Sequence, residues 1–164
     1  MRASRVVLVG VIGGSAPTPA EAVAAEAVGR LVAEAGAVLV CGGGGGVMEA
    51  ACRGAKGAGG LTVGVLPGIS RRQANAHVDI PIVTGMGEAR NAIIARTADV
   101  LITIGGSYGT LSEIAYGLGF DTPVVGLGTW AFERAGHPAV PLVSVRTPDE
   151  AVRQALFLAD RRQL

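Results

Sequence analysis

Val-Leu-Ile-Thr-Ile-Gly-Gly-Ser-Tyr-Gly-Thr-Leu-Ser-Glu, residues 100–113, is an apolar β-branched run that breaks into glycines and restarts as a helical pattern. A strand leading through a glycine-rich turn into a helix is the repeating unit of a parallel α/β sheet. It also exposes backbone N–H groups at the positive end of a helix dipole, where an anion is readily held. The segment therefore predicts both a fold and a phosphate-binding loop.

The same alternation extends outward from this segment. Strand-like runs are expected at Arg5 to Val11, Ala37 to Cys41, Leu61 to Leu66, Ile80 to Val83, Val100 to Ile104, Val124 to Leu127 and Leu142 to Val145. Helical patterns fall between or after them, at about Ala20 to Ala35, Val47 to Ala58, Glu88 to Ala98, Leu111 to Phe120 and Asp149 to Ala159. Strand, helix and strand with short connections give right-handed crossovers, and hence an α/β fold with a doubly wound, mainly parallel sheet of about seven strands and helices on both faces. With no linker or internal repeat, residues 1–164 are expected to form a single domain.

Composition agrees with this reading and narrows the function. Hydrophobic residues make up 49% of the chain but aromatics only 4%, so the core is built from Val, Leu, Ile and Ala, as in sheets buried on both faces. A net charge of +1, without a stripe of Lys and Arg interleaved with aromatics, gives no basis for a nucleic-acid partner. No apolar stretch predicts a membrane span, and nothing resembles an export signal, so a cytoplasmic protein is expected. Cys41 and Cys52 lack the number and spacing of a metal or disulfide framework and read as small core residues. His77 and His137 read as solvated loop residues, and no metal ligand set is expected.

Glycine collects at the predicted C-terminal ends of strands, the edge at which open α/β sheets bind ligands. Gly13, Gly14 and Ser15 follow the first strand, Gly42 to Gly46 the second, Pro67 and Gly68 the third, and Gly105 to Gly109 the fifth. The familiar nucleotide signatures are missing. The first loop is not G-x-G-x-x-G, the second strand ends in Gly42 rather than an acid, and no G-x-x-x-x-G-K-[ST] occurs, which argues against NAD and against a P-loop nucleotidase.

Three Thr-x-x-Glu patterns, Thr18 to Glu21, Thr110 to Glu113 and Thr147 to Glu150, are capping-box signatures. Local sequence thus leaves two roles open for Glu113, a helix cap or a catalytic carboxylate. Arg90, taken alone, also fits a solvated arginine on a helix surface.

The segment Gly85-Met86-Gly87-Glu88-Ala89-Arg90-Asn91, then Asp99, then Gly105 to Glu113, resembles the LOG (Lonely Guy) family, once misnamed lysine decarboxylases. That family carries an arginine in an M-H-x-R-K-like motif and P-G-G-x-G-T-x-x-E downstream. Cys41 to Ala50 is similar to its G-G-G-x-x-G-L-M segment, and the resemblance runs to about Leu127. It implies a Rossmann-like fold that binds a nucleoside monophosphate and, in active members, hydrolyses the bond between base and ribose 5'-phosphate, with no cofactor required. Carried onto this chain, Gly105, Gly106, Ser107, Tyr108, Gly109 and Thr110 would hold the phosphate. Gly14, Ser15, Gly42, Gly43, Gly44, Gly45, Gly46, Met86 and Asn91 would complete the pocket, and Arg90 and Glu113 would flank the sugar as the catalytic pair.

The pattern also departs from the hydrolase form. The family's Pro falls on Gly105, its second Gly on Ser107 and its Lys on Asn91. In this altered form the chain looks more like a small bacterial branch that includes proteins similar to molybdenum-cofactor carriers. That resemblance implies a phosphorylated cofactor, such as molybdenum cofactor, held in the same cleft without cleavage. A ligand sensor acting through its oligomer is a third reading. Resemblance to the family further implies a homodimer or homotetramer, consistent with apolar Ile93, Ile94, Leu111, Ile114 and Leu118 on two helices.

Overall fold

A computed structural model describes residues 5–162. The full span of 1–164 expected for one domain therefore ends outside the described residues on both sides. Seven strands, β1 (Leu8–Gly13), β2 (Val38–Cys41), β3 (Thr62–Leu66), β4 (Ile80–Val83), β5 (Val100–Ile104), β6 (Val124–Leu127) and β7 (Leu142–Val145), form one sheet in the order β4-β3-β2-β1-β5-β6-β7. Every pairing is parallel, so the sheet is parallel throughout rather than mainly so. The chain winds outward from β1 to β4, returns to β5 beside β1, and winds outward again. The crevice at the carboxyl ends of β1 and β5 is the switch point at which such sheets take ligands.

Five helices cover the sheet: α1 (Pro19–Glu34), α2 (Val47–Gly57), α3 (Asn91–Thr97), α4 (Tyr108–Gly119) and α5 (Pro148–Arg161). Strand periodicity sorts the core into two layers. Val9 and Val11 of β1 and Val100, Ile102 and Ile104 of β5 pack with Val28, Val32 and Val152 beneath α1, α2 and α5. Ile12 and Leu101 face the other way, against Ile94 of α3 and Ile114 of α4. Each such fully buried aliphatic side chain contributes about 1.5–3 kcal/mol of transfer free energy. The seam between β1 and β5 is also tied by Asp99, which accepts from the Leu8 N–H at 2.8 Å and pairs with Arg5.

Three elements, β1, α3 and α4, start three residues away from expectation. Strand β1 begins at Leu8 and runs to Gly13, because its ladder starts opposite Val38 and ends opposite Ile104. The helix expected from Glu88 opens as a 3-10 turn, Gly87–Arg90, before α3. Helix α4 starts at Tyr108 instead of Leu111, with Ser107 as its N-cap. That last shift removes the capping role from Thr110 and Glu113, since both already lie inside the helix. Thr18 and Glu21 do form a reciprocal box, with bonds of 3.2 and 2.9 Å. At α5, Thr147 accepts from Glu150 N at 3.2 Å, while the Glu150 carboxylate turns to Arg146 N.

Both cysteines are buried, free and 3.5 Å apart at sulfur. The hydrogen bond shared with Cys52, and then burial, push the Cys41 thiol well above its ordinary range. Among the described residues no helix is long and apolar enough to cross a membrane.

Candidate functional site

The turn after β5 is built by two glycines that no other residue replaces without strain. Gly105 has φ +54° and Gly106 φ +114°. A proline at Gly105 is excluded because its ring fixes φ near −65°, which explains why the proline of the resembling motif is absent here. Ser107 lies at φ −105°, ψ −163°, ordinary extended backbone, so the serine in place of glycine is unstrained. From the loop after β6, Thr129 Oγ1 donates to the Gly105 carbonyl at 2.6 Å, and the Trp130 indole N–H donates to the Ser107 carbonyl at 3.3 Å.

Helix α4 differs from α1 and α5 in having no side chain on its N-terminus. Its first intrahelical donor is Leu111 N, bonded to Ser107 O at 3.0 Å. The Tyr108, Gly109 and Thr110 N–H groups are the donors that an α-helix leaves free at its first turn, at the positive end of the dipole. Glu113 sits four residues after Gly109 and three after Thr110, which puts all three on one helix face.

That face closes one side of a cavity of about 260 Å³ lined by Gly13, Ser15, Met48, Pro67, Glu88, Arg90, Asn91, Ser107, Gly109, Thr110 and Glu113. A second hollow, of about 400 Å³, shares Arg90 and Pro67 with the first and adds Gly42, Gly44, Leu66, Gly68 and Gln73. The loops that form the floor are joined directly: Val47 N donates to Gly14 O at 3.0 Å, and Asn75 Nδ2 donates to Gly44 O at 2.9 Å.

Only 7% of Glu113 is exposed. Burial pushes its carboxyl from 4.5 up to about 7, against the opposing pull of the Arg90 guanidinium. A carboxyl balanced near neutrality can hold or release a proton at physiological pH, the condition a general acid or base requires. Next to it, Asn91 is 3% exposed. Its Nδ2 donates to Ser112 Oγ at 3.1 Å, and Ser112 Oγ donates to Gly109 O at 2.7 Å.

The predicted residues separate into two groups. Ser15, Arg90, Asn91, Ser107, Gly109, Thr110 and Glu113 line the first cavity, and Gly42 and Gly44 the second. Gly14, Gly43, Gly45, Gly46, Gly105 and Gly106 line neither; they belong to the loops that shape the walls. Met86 is half exposed at the start of the 3-10 turn, and Tyr108, 81% exposed, packs at 5.9 Å against Trp130 on the outer side of the loop. Gly13, Met48, Leu66, Pro67, Gly68, Gln73 and Glu88 line the cavities without having been candidate site residues, although the strand-end positions of Gly13, Pro67 and Gly68 put them at the ligand-binding edge. Met48 and Pro67 lay within segments already marked by glycine clusters, whereas nothing local distinguishes Glu88. His77 lends its carbonyl to Thr62, His137 is exposed, and neither lines either cavity.

The chain as a whole is similar to known proteins. The model of the SLOG cluster4 family matches residues 6–152. A Mycobacterium tuberculosis cytokinin riboside 5'-monophosphate phosphoribohydrolase is 37% identical over 133 residues, 74% of this chain and 71% of that protein. The solved molybdenum cofactor binding protein of Rippkaea orientalis superposes with a TM-score of 0.87 at 35% identity, covering 95% of this chain and 99% of that one. The molybdenum cofactor carrier protein of Chlamydomonas reinhardtii superposes with a TM-score of 0.85 at 36% identity, with the same coverage.

Proposed function

The chain belongs to the SLOG cluster4 family, and from that premise we propose that it binds a nucleoside 5'-monophosphate in the cleft between β1 and β5 and hydrolyses the bond from base to ribose. The observation that carries this is the buried Glu113, perturbed to about 7, sharing one cavity with Arg90 and the uncapped start of α4.

The phosphate is assigned to the Tyr108, Gly109 and Thr110 N–H groups, with the Ser107 hydroxyl beside them. The sugar then lies over Arg90 and Glu113. As the C–N bond breaks, its electron pair leaves with the base and positive charge develops on the ribose ring. The Glu113 carboxylate stabilises that charge and takes a proton from the incoming water, whose oxygen bonds to the anomeric carbon. The departing base takes a proton from solvent at the nitrogen it leaves with, and the proton that Glu113 took from water returns to solvent, which restores the carboxylate. Arg90 favours the ionised carboxylate before water is deprotonated and can grip an anionic oxygen in bidentate fashion.

A second reading is supported by the solved structures. The proteins of R. orientalis and C. reinhardtii are named for binding and carrying molybdenum cofactor, and they match nearly this whole chain. On that reading the same N–H groups hold the phosphate of a pterin cofactor and Glu113 does no chemistry. Chromatographic detection of adenine and ribose 5-phosphate after incubation with AMP separates the two. The hydrolase reading expects release by wild type and its loss in Glu113→Gln; the carrier reading expects AMP to stay intact with both.

A further inference from the structure

We propose that Asn91 reads a hydroxyl of the bound sugar, accepting its proton on Oδ1 while Arg90 donates from Nε to a sugar oxygen, so that the cleft selects ribo- over deoxyribonucleotides. This rests on the nucleotide reading above and adds which part of the ligand is recognised, and by what.

The orientation of the Asn91 amide follows from hydrogen-bond arithmetic. Ser112 has one hydroxyl proton, and it is donated to Gly109 O at 2.7 Å. Toward Asn91, 3.1 Å away, Ser112 Oγ can therefore only accept, so the NH₂ of the amide must face it. The Asn91 carbonyl oxygen is left on the other side of the side chain. It is fully buried, belongs to a residue lining the cavity, and has no partner among the described residues. The same is true of Arg90 Nε, one residue earlier on the same wall.

An acceptor and a donor, both desolvated and both unmet, on consecutive residues that line one cavity, define the complementary group. Phosphate does not fit, because its oxygens at neutral pH would meet the Asn91 oxygen as acceptor against acceptor. A sugar hydroxyl fits both, since it donates one proton and accepts on its lone pairs. A buried polar group without a partner costs about 1–3 kcal/mol, which ligand contact recovers. A lysine at position 91, as in the resembling motif, would offer donors only and could not read a hydroxyl proton.

The test is calorimetric titration of the Glu113→Gln protein, which leaves the ligand uncleaved, with AMP, 2'-deoxy-AMP and 3'-deoxy-AMP. The expected result is that at least one deoxy analogue binds about 10- to 100-fold more weakly than AMP. That ratio should fall to about one in Asn91→Leu, and should shrink in Ser112→Ala, where the amide is no longer locked. Equal binding of all three nucleotides overturns the hydroxyl assignment and leaves the phosphate site standing. No binding of AMP overturns the nucleotide reading itself, and the inference with it. The analogue series needs no change at Asn91, so it decides the question even if Asn91→Leu fails to fold.

Discussion

A Cβ atom on Gly42 would lie 2.7 Å from Arg90 Nη2 and 2.7 Å from Met48 Sδ. The glycine at the end of β2 thus clears the space in which the Arg90 guanidinium rests, and the β2–α2 loop positions the arginine that bridges the two cavities. Gly42→Ala is expected to displace that guanidinium at a cost of about 1–3 kcal/mol. Affinity for AMP should drop about tenfold or more by calorimetry, with an unchanged far-ultraviolet circular dichroism spectrum. An unaltered affinity would remove Arg90 from the binding site.

Glu113 is expected to cost stability at neutral pH. Its folded-state value of about 7 lies above the ordinary 4.5, so the folded protein holds a proton that the unfolded chain has lost between those values. Stability from this group is therefore intact below about pH 4.5 and falls as pH rises toward and through 7. At 1.36 kcal/mol per unit the loss amounts to about 3 kcal/mol at pH 8. Glu113→Gln should melt at the same temperature as wild type at pH 4.5 and several degrees higher at pH 8. Identical melting curves at pH 8 would show that the carboxyl is not perturbed.

Asp99 lies in the motif region but has a structural task. It is buried and accepts from Leu8 N at the start of β1. Asp99→Ala would orphan that N–H and is expected to destabilise by about 1–3 kcal/mol, or roughly 2–4 °C in Tm for each kcal/mol. AMP affinity below the melting transition should be unchanged. A loss of affinity without a loss of Tm would move Asp99 into the site.

The fold was legible because its signals are local and repeated. Runs such as Val124 to Leu127 and Leu142 to Val145 are bounded by turn residues and coincide with strands β6 and β7 at both ends. The candidate site was legible where glycine marks a strand end. It was misread where one pattern has two meanings: Thr110-x-x-Glu113 has the spacing of a cap, but the positive-φ turn at Gly105 and Gly106 starts the helix at Tyr108 and carries Glu113 into the interior. The Asn91–Ser112–Gly109 relay was not legible at all. It joins two helices that are distant in sequence, and no spacing rule brings an asparagine on one to a serine on the other. The support that Thr129 and Trp130 give the loop is equally long-range.

The central claim is that an ionised Glu113 acts on a nucleotide held at the start of α4. It is tested most directly by the rate of adenine release from AMP between pH 5 and 9, measured for wild type and Glu113→Gln. The ligand phosphate itself titrates near pH 6 and is common to both proteins, so the difference between the two profiles reports the carboxyl. The expected profile for wild type rises with pH through a midpoint near 7, as the carboxylate becomes available, with a loss of about 100-fold or more in the variant. Release that is absent at every pH, with AMP recovered intact from the cleft, would contradict the account and assign this site to carriage of a phosphorylated ligand.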